Sequence, residues 1–255
     1  MGDAKSTSIP LGGQFSLTKE QSPSSTELIE EMKNAPYAMA LGCLMYIMVS
    51  TRPDLVHSLS ILSRFMANPG MEHWKALKWL LRYLKGTWNY GLVYEKTKDE
   101  MHLTGFVDAD YASNKDTRRS TTAYSFMMNN SCICWKSQLQ SVVALSTTEA
   151  QFMATTEAFK EAVWLQGIMQ ELKQIKHSTI IYSDSQSSIH FCKNPVYHEK
   201  SKHIDIRLYW IREKIEEGTI ELEKIRTEEN PADMGTKVVS ISKFKHCLNL
   251  LNLRA

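Results

Sequence analysis

From residue 101 onward the chain alternates short strand-like runs with longer helical stretches, and this order constrains the fold more than any single motif. Met101, Leu103 and Val107 alternate with His102, Thr104, Phe106 and Asp108, the period of two expected of a half-buried strand. Residues 121–128 and 131–135 read as two more strands, joined at Asn129-Asn130, a pair suited to a tight hairpin. A long helix is expected from 146 to about 175, with Phe152, Phe159 and Val163 on one face. Residues 178–183 form a strand and 185–192 a short helix. Over 203–217, Ile204, Leu208, Ile211 and Ile215 recur at helical spacing, with Gly218 as the stop. A last strand covers 219–226, and a helix follows Pro231. Strands separated by helices pair in parallel through crossovers, whereas the opening hairpins pair antiparallel. The expectation is a mixed α/β layer fold without internal repeat.

Upstream the texture differs. Residues 1–35 are polar, with Pro10, Gly12, Gly13 and Pro23, and read as an extended or partly disordered lead-in. Residues 36–98 are mainly helical, broken at Arg52-Pro53-Asp54 and at Asn68-Pro69-Gly70, with a strand-like run at 90–95. In the helix over 72–85, Trp74, Leu77, Leu81 and Leu84 make an apolar stripe, while Lys75, Lys78, Arg82 and Lys85 line a different face. That basic face is either a solvated flank or a contact for a phosphate backbone, where such residues supply affinity without sequence choice. Residues 99–255 then form the α/β domain. At 43% hydrophobic and 23% charged over 255 residues, the chain has enough apolar material for a core.

The net charge of +2 does not by itself announce a nucleic-acid binder. Residues 1–98 carry 11 Lys and Arg against 8 Asp and Glu, and the remainder 19 against 20, a slight asymmetry that suits an anionic substrate. Five cysteines without a C-x-x-C pair point to a reducing compartment rather than a disulfide framework. The N-terminus lacks an apolar signal core, and the longest apolar stretch, 38–49, is too short to span a bilayer. A soluble cytoplasmic or nuclear protein with no membrane partner is expected.

Four acidic residues stand at element ends: Asp108 and Asp184 after strand-like runs, Glu149 and Asp233 in first turns of helices. In open α/β sheets the site lies at the carboxyl ends of parallel strands. If the fold gathers these acids, they repel one another until a divalent cation fills the pocket. Mg2+ prefers a few carboxylates plus waters and phosphate oxygens, and a pair of ions suits in-line displacement at phosphorus. Each acid also has a local explanation. Ser146 and Glu149 spell a capping box. Asp184 can cap the next helix, Asp108 or Asp110 can be a turn residue, and Asp233 favours a helix dipole.

Several blocks of residues carry a family resemblance. They are Arg118-Arg119-Ser120-Thr121-Thr122, Trp135-Lys136-Ser137, Gln140 through Ala150, Lys202-His203-Ile204-Asp205-Ile206-Arg207 and Asn230-Pro231-Ala232-Asp233-Met234. Together they resemble the ribonuclease H domain of copia-type retrotransposon Pol polyproteins. Upstream, Leu44-Met45-Tyr46, Thr51-Arg52-Pro53-Asp54, Ser63-Arg64-Phe65-Met66 and His73-Trp74 through Thr87 resemble the segment joining reverse transcriptase to that domain. The resemblance implies a ribonuclease H-like mixed five-stranded sheet flanked by helices, preceded by a small helical segment. It implies hydrolysis of the RNA strand of RNA/DNA hybrids with two Mg2+ ions, or Mn2+ as a substitute. It maps catalysis and metal binding onto Asp108, Glu149, Asp184 and Asp233. Asp108 is preferred to Asp110 as the residue ending its strand. His203 is assigned to helix packing or capping.

There are departures from the family pattern. No Asp-Asp pair occurs, so DNA synthesis is not expected from this chain, which reads as a truncated polyprotein whose partner is a missing reverse transcriptase portion. Gly235 stands where the family has an apolar residue, and is expected to loosen Asp233. Ser113 and Ala123 stand where glycine is common, and Ala123 strains its strand if a positive φ is required there. Three readings follow. One is a nuclease. Another is a non-catalytic nucleic-acid-binding module using Lys75, Lys78, Arg82, Lys85, Arg118 and Arg119. The third is an inert remnant. The intact acids favour the nuclease.

Overall fold

The computed structural model describes residues 3–96, 101–172, 178–194 and 202–255, with the side chains of 202–205 outside that description. The lead-in runs as extended chain past a helical turn at Lys19–Gln21, and α1 covers Thr26–Met32. Three more helices follow: α2, Tyr37–Thr51; α3, Val56–Leu62; α4, Met71–Gly86. A two-residue β1, Gly91–Leu92, precedes the main strands β2, Leu103–Asp110; β3, Thr121–Met128; β4, Ser131–Leu139. Then come α5, Thr147–Glu171; β5, Thr179–Ser183; α6, Gln186–Lys193; α7, Lys202–Glu216; β6, Ile220–Lys224. The chain closes with α8, Asp233–Thr236; α9, Ile241–Leu250; β7, Leu253–Arg254.

The main sheet has the order β4-β3-β2-β5-β6. β2–β3 and β3–β4 pair antiparallel, while β2–β5 and β5–β6 pair in parallel. Asn129 and Asn130 both have positive φ, 47° and 67°, as a two-residue hairpin turn between right-twisted strands demands. The strand-like run at 90–95 does not join this sheet. Only Gly91 and Leu92 pair, antiparallel with Arg254 and Leu253, and so bind the helical segment to the C-terminus. The expected single C-terminal helix divides into α8 and α9, because residues 237–240 leave the helix between them.

Period two along the strands gives the sheet two faces. Leu103, Val107, Tyr124, Phe126, Ile181, Ile220 and Leu222 face a core completed by α5, α6 and α7. Phe152 and Phe159 of α5 are fully buried there, each contributing on the order of 1.5–3 kcal/mol from transfer alone. On the opposite face, Met127 and Cys132 meet Leu41, Leu55, Leu59, Leu77, Leu80 and Tyr83 from α2–α4, with Phe244 and Leu248 from α9. The helical segment and the sheet therefore share this second core. No helix among the described residues is long and apolar enough to cross a membrane.

The Arg52-Pro53-Asp54 break is a buried polar knot. The Arg52 guanidinium donates to both Asp54 carboxylate oxygens, at 3.0 and 2.7 Å, and to Thr87 O and Oγ1, at 2.9 and 2.7 Å. Tyr83 OH donates to Asp54 Oδ2 at 2.6 Å. A buried ion pair is tolerable because these partners satisfy it. The lead-in, expected loose, is tied down: Trp79 Nε1 donates to Ile9 O, Arg82 Nε to Lys5 O and Lys85 Nζ to Ala4 O.

Candidate functional site

The parallel register pairs Val107 with Ser183, so Asp108 and Asp184 stand side by side one step further along β2 and β5. Phe106 and Tyr182, two residues earlier on each strand, stack at 5.6 Å, as residues on one face should. β2 continues to Asp110, so Asp108 does not end its strand as expected but sits inside it, opposite Ala123. Asp233 opens α8, and Asn230 places it. Asn230 Nδ2 donates to Val107 O at 3.0 Å, and Asn230 Oδ1 accepts from Ala232 N at 3.1 Å. One carboxylate oxygen each from Asp108, Asp184 and Asp233 thus lies within 4.8 Å of the others. Asp108 and Asp233 are buried and Asp184 is half-buried.

Asp108 Oδ1 accepts from Gln151 Nε2 at 2.8 Å, and its Oδ2 accepts from Thr236 Oγ1 at 2.5 Å. Lys237 Nζ lies 3.5 Å from Asp108 Oδ2 and 2.9 Å from Asp233 Oδ1. Lys243 Nζ is 3.6 Å from Asp233 Oδ2. Asp184 Oδ2 accepts from Thr227 Oγ1 at 2.8 Å. Burial alone would raise the Asp108 pKa, but the Lys237 charge and the Thr236 and Gln151 bonds hold it below the ordinary value. Burial, and then the Asp108 charge, push Asp233 up to about 6. The three carboxylates outnumber the two ammonium groups beside them, Lys237 and Lys243, so the cluster keeps a net negative charge. Three converging hard oxygen donors fit a divalent cation such as Mg2+ or Mn2+.

The structure brings three of the four expected acids together and leaves Glu149 in its capping role. Ser146 Oγ accepts from Glu149 N at 3.1 Å, and Glu149 Oε2 accepts from Leu145 N at 2.7 Å. Its helix turn nevertheless lies over the cluster, since Gln151 two residues on reaches both Asp108 and Ala109 O.

Gly235 does not loosen Asp233. A Cβ at 235 would lie 2.7 Å from the Ala123 Cβ, so the glycine makes room for that methyl group and seats α8 on β3 beside Asp108. Ala123 is not among the positive-φ residues, so no such strain arises there, and in the β2–β3 loop it is Ala112 and Arg118, not Ser113, that have positive φ, at 51° and 58°.

Arg118 and Arg119 are exposed on the loop joining the site end of β2 to β3. Asn114 shapes that loop by accepting from Thr117 N and Oγ1 at 2.7 and 2.8 Å. The α4 stripe is partly occupied elsewhere. Lys75 pairs with Glu72 at 2.7 Å and Lys78 lies over Trp74, while Arg82 and Lys85 hold the lead-in. The His203 side chain lies outside the described residues. Gln151, Thr236 and Lys237 escaped the sequence reading, and Asn230 entered it only as part of a resemblance block. For Lys237 the one available signal was its position four residues after Asp233, the spacing of a helical ion pair.

Fold and site define a class: a mixed five-stranded α/β sheet flanked by helices, with a carboxylate cluster at the rim of two adjacent parallel strands. No protein-family profile matches the chain. The retrovirus-related Pol polyprotein from transposon TNT 1-94 of Nicotiana tabacum is 46% identical over 255 residues, covering all of this chain and 19% of that protein. The corresponding polyprotein from transposon RE2 of Arabidopsis thaliana is 32% identical over 244 residues, 95% of this chain and 16% of that protein. Secreted RxLR effector protein 161 of Plasmopara viticola is 48% identical over 134 residues, 52% of this chain and 94% of that protein. The foamy viral protease-reverse transcriptase dRH in complex with double-stranded DNA matches in structure with a TM-score of 0.51 at 14% identity, over 82% of this chain and 36% of that one. The chain belongs to the retrovirus-related Pol polyproteins of transposons and spans less than a fifth of the length of the two described here.

Proposed function

We propose that this chain is a metal-dependent nuclease of ribonuclease H type that hydrolyses the RNA strand of RNA/DNA hybrids. The observation that carries the reading is the convergence of Asp108, Asp184 and Asp233 within 4.8 Å on a ribonuclease H-like sheet. These three would hold the divalent metal, Mg2+ or Mn2+, with Glu149 as the fourth acid that the family resemblance assigns. Bound metal supplies a nucleophile at neutral pH and stabilises charge on the leaving oxygen. The protein's part is positional. Gln151 and Thr236 fix the Asp108 carboxylate, and Asn230 fixes the turn that carries Asp233. Arg118 and Arg119 contact substrate phosphates from the same rim, and the α4 stripe of Lys75, Lys78, Arg82 and Lys85 is a second basic surface for the backbone. The chain acts in the cytoplasm or nucleus beside the reverse transcriptase portion of a related polyprotein.

The test uses purified chain and end-labelled RNA/DNA hybrid with Mg2+ or Mn2+. RNA cleavage is expected, with loss in Asp108→Asn and in Glu149→Gln. Removing Arg118 and Arg119 together is expected to weaken hybrid binding and reduce the log–log salt slope by about 2. Cleavage that survives both acid substitutions would refute the site. Binding without cleavage by the unaltered chain would support the non-catalytic module instead.

A further inference from the structure

The cluster already contains a cation of its own. Lys237 Nζ sits between the two buried carboxylates, 2.9 Å from Asp233 Oδ1 and 3.5 Å from Asp108 Oδ2. Its side chain is 39% exposed, so its flexible stem has a path to solvent. Neighbouring Lys243 differs. It is 17% exposed and donates to the carbonyls of Thr227 and Glu228, so backbone acceptors hold it in place. Asp108 does not depend on Lys237 for its position, because Gln151 and Thr236 each donate to it.

We propose that Lys237 is a built-in competitor for the metal position: its ammonium, alongside Lys243 on Asp233, offsets the charge of Asp108 and Asp233 while the metal is out, and withdraws to solvent when a divalent ion enters. This rests on the metal reading of the same carboxylates. The physical reason is charge balance. Two buried carboxylates facing each other require a counter-ion. An ammonium satisfies this with one charge from a stem that also reaches water, whereas a divalent ion brings two charges and takes the same oxygens. The protein therefore folds with a complete site in the absence of metal, and gives up metal affinity in return. After withdrawal the ammonium remains tethered at the rim where an anionic substrate would lie.

The experiment is calorimetric titration of Mn2+ into the full chain, its Lys237→Gln variant and its Lys237→Arg variant, with circular dichroism to check folding. Lys237→Gln keeps a polar group between the carboxylates without the charge. It is expected to bind Mn2+ about tenfold more tightly or better, since a full charge is removed within 3.5 Å of two ligand carboxylates. Mn2+ is expected to raise its melting temperature more than that of the unaltered chain, and Lys237→Arg is expected to bind no more tightly than the unaltered chain. Equal or weaker Mn2+ binding by Lys237→Gln would overturn the competition and leave the metal reading standing. If neither protein binds Mn2+, both are overturned.

Discussion

Gly235→Ala probes how this chain seats its last acid. The new Cβ would lie 2.7 Å from Ala123 Cβ, about an ångström inside the optimum of roughly 3.5–4.0 Å for two carbons. A methyl group has no rotamer with which to escape, and both backbones are constrained. Ala123 is hydrogen-bonded between β2 and β4, and the start of α8 is tied to β2 through Asn230. Overpacking of this kind costs roughly 1–3 kcal/mol. Alanine recovers at most about 1 kcal/mol of helix propensity over glycine. The net expectation is a destabilisation of about 1–2 kcal/mol. Ala123→Gly alone costs about 1 kcal/mol, from a lost buried methyl and a more flexible strand. In the double variant the methyl has moved from sheet to helix and the clash is gone. Gly235→Ala should then change sign and become neutral or stabilising, with a coupling energy of about 2 kcal/mol. Urea unfolding of the four proteins measures this directly, and RNA cleavage should fall in Gly235→Ala and return in the double variant. If Gly235→Ala has the same effect in both backgrounds to within about 0.5 kcal/mol, the seating argument is wrong.

Asp54→Ala is expected to cost about 3–5 kcal/mol in urea unfolding, because it strands the buried Arg52 guanidinium and the Tyr83 hydroxyl; a loss below about 1 kcal/mol would show that the knot is not structural. His57 tests the second core through pH. Burial, reinforced by the Arg64 charge, lowers its pKa to about 4. Between that value and about 6.5 the unfolded chain takes up a proton that the folded chain refuses. The His57 contribution is therefore fully present above pH 6.5 and is lost as pH falls toward 4, by up to about 3 kcal/mol. Asp233 acts with the opposite sign, because its raised pKa lets the folded chain protonate first as pH falls through about 6. Comparison with His57→Leu separates the two: stability of the unaltered chain relative to that variant should decline from pH 7 to pH 5, and a constant difference would count against the buried neutral imidazole.

Much of the site was legible because it is written locally. Asp108 and Asp184 follow strand periodicity, and the parallel pairing expected of strands split by a helix brings them together. Glu149 was legible twice over, as a cap and as a ligand. Spacing alone does not choose between these, and the side chain makes the cap contact. Gly235 and Ala123 were misread for a physical reason. Each looks like a defect when judged by helix or strand preference, and they make sense only as a pair touching across 112 residues of chain.

The sequence by itself determined the order of the main strands and helices from residue 103 to 224, the hairpin at Asn129-Asn130 and the two-faced sheet, while the acids were singled out by the family resemblance. Element order, hairpin and sheet faces follow from dihedral preference and apolar periodicity, which act over a few residues. Only the tertiary structure decided that β1 pairs with β7, that Arg52, Asp54, Tyr83 and Thr87 close one knot, that Gly235 receives Ala123, and that Lys237 rests between Asp108 and Asp233. Each is a contact between segments far apart in the chain or a choice among side-chain rotamers. Its energy depends on distances of a few ångströms that exist only once both cores have closed on the sheet.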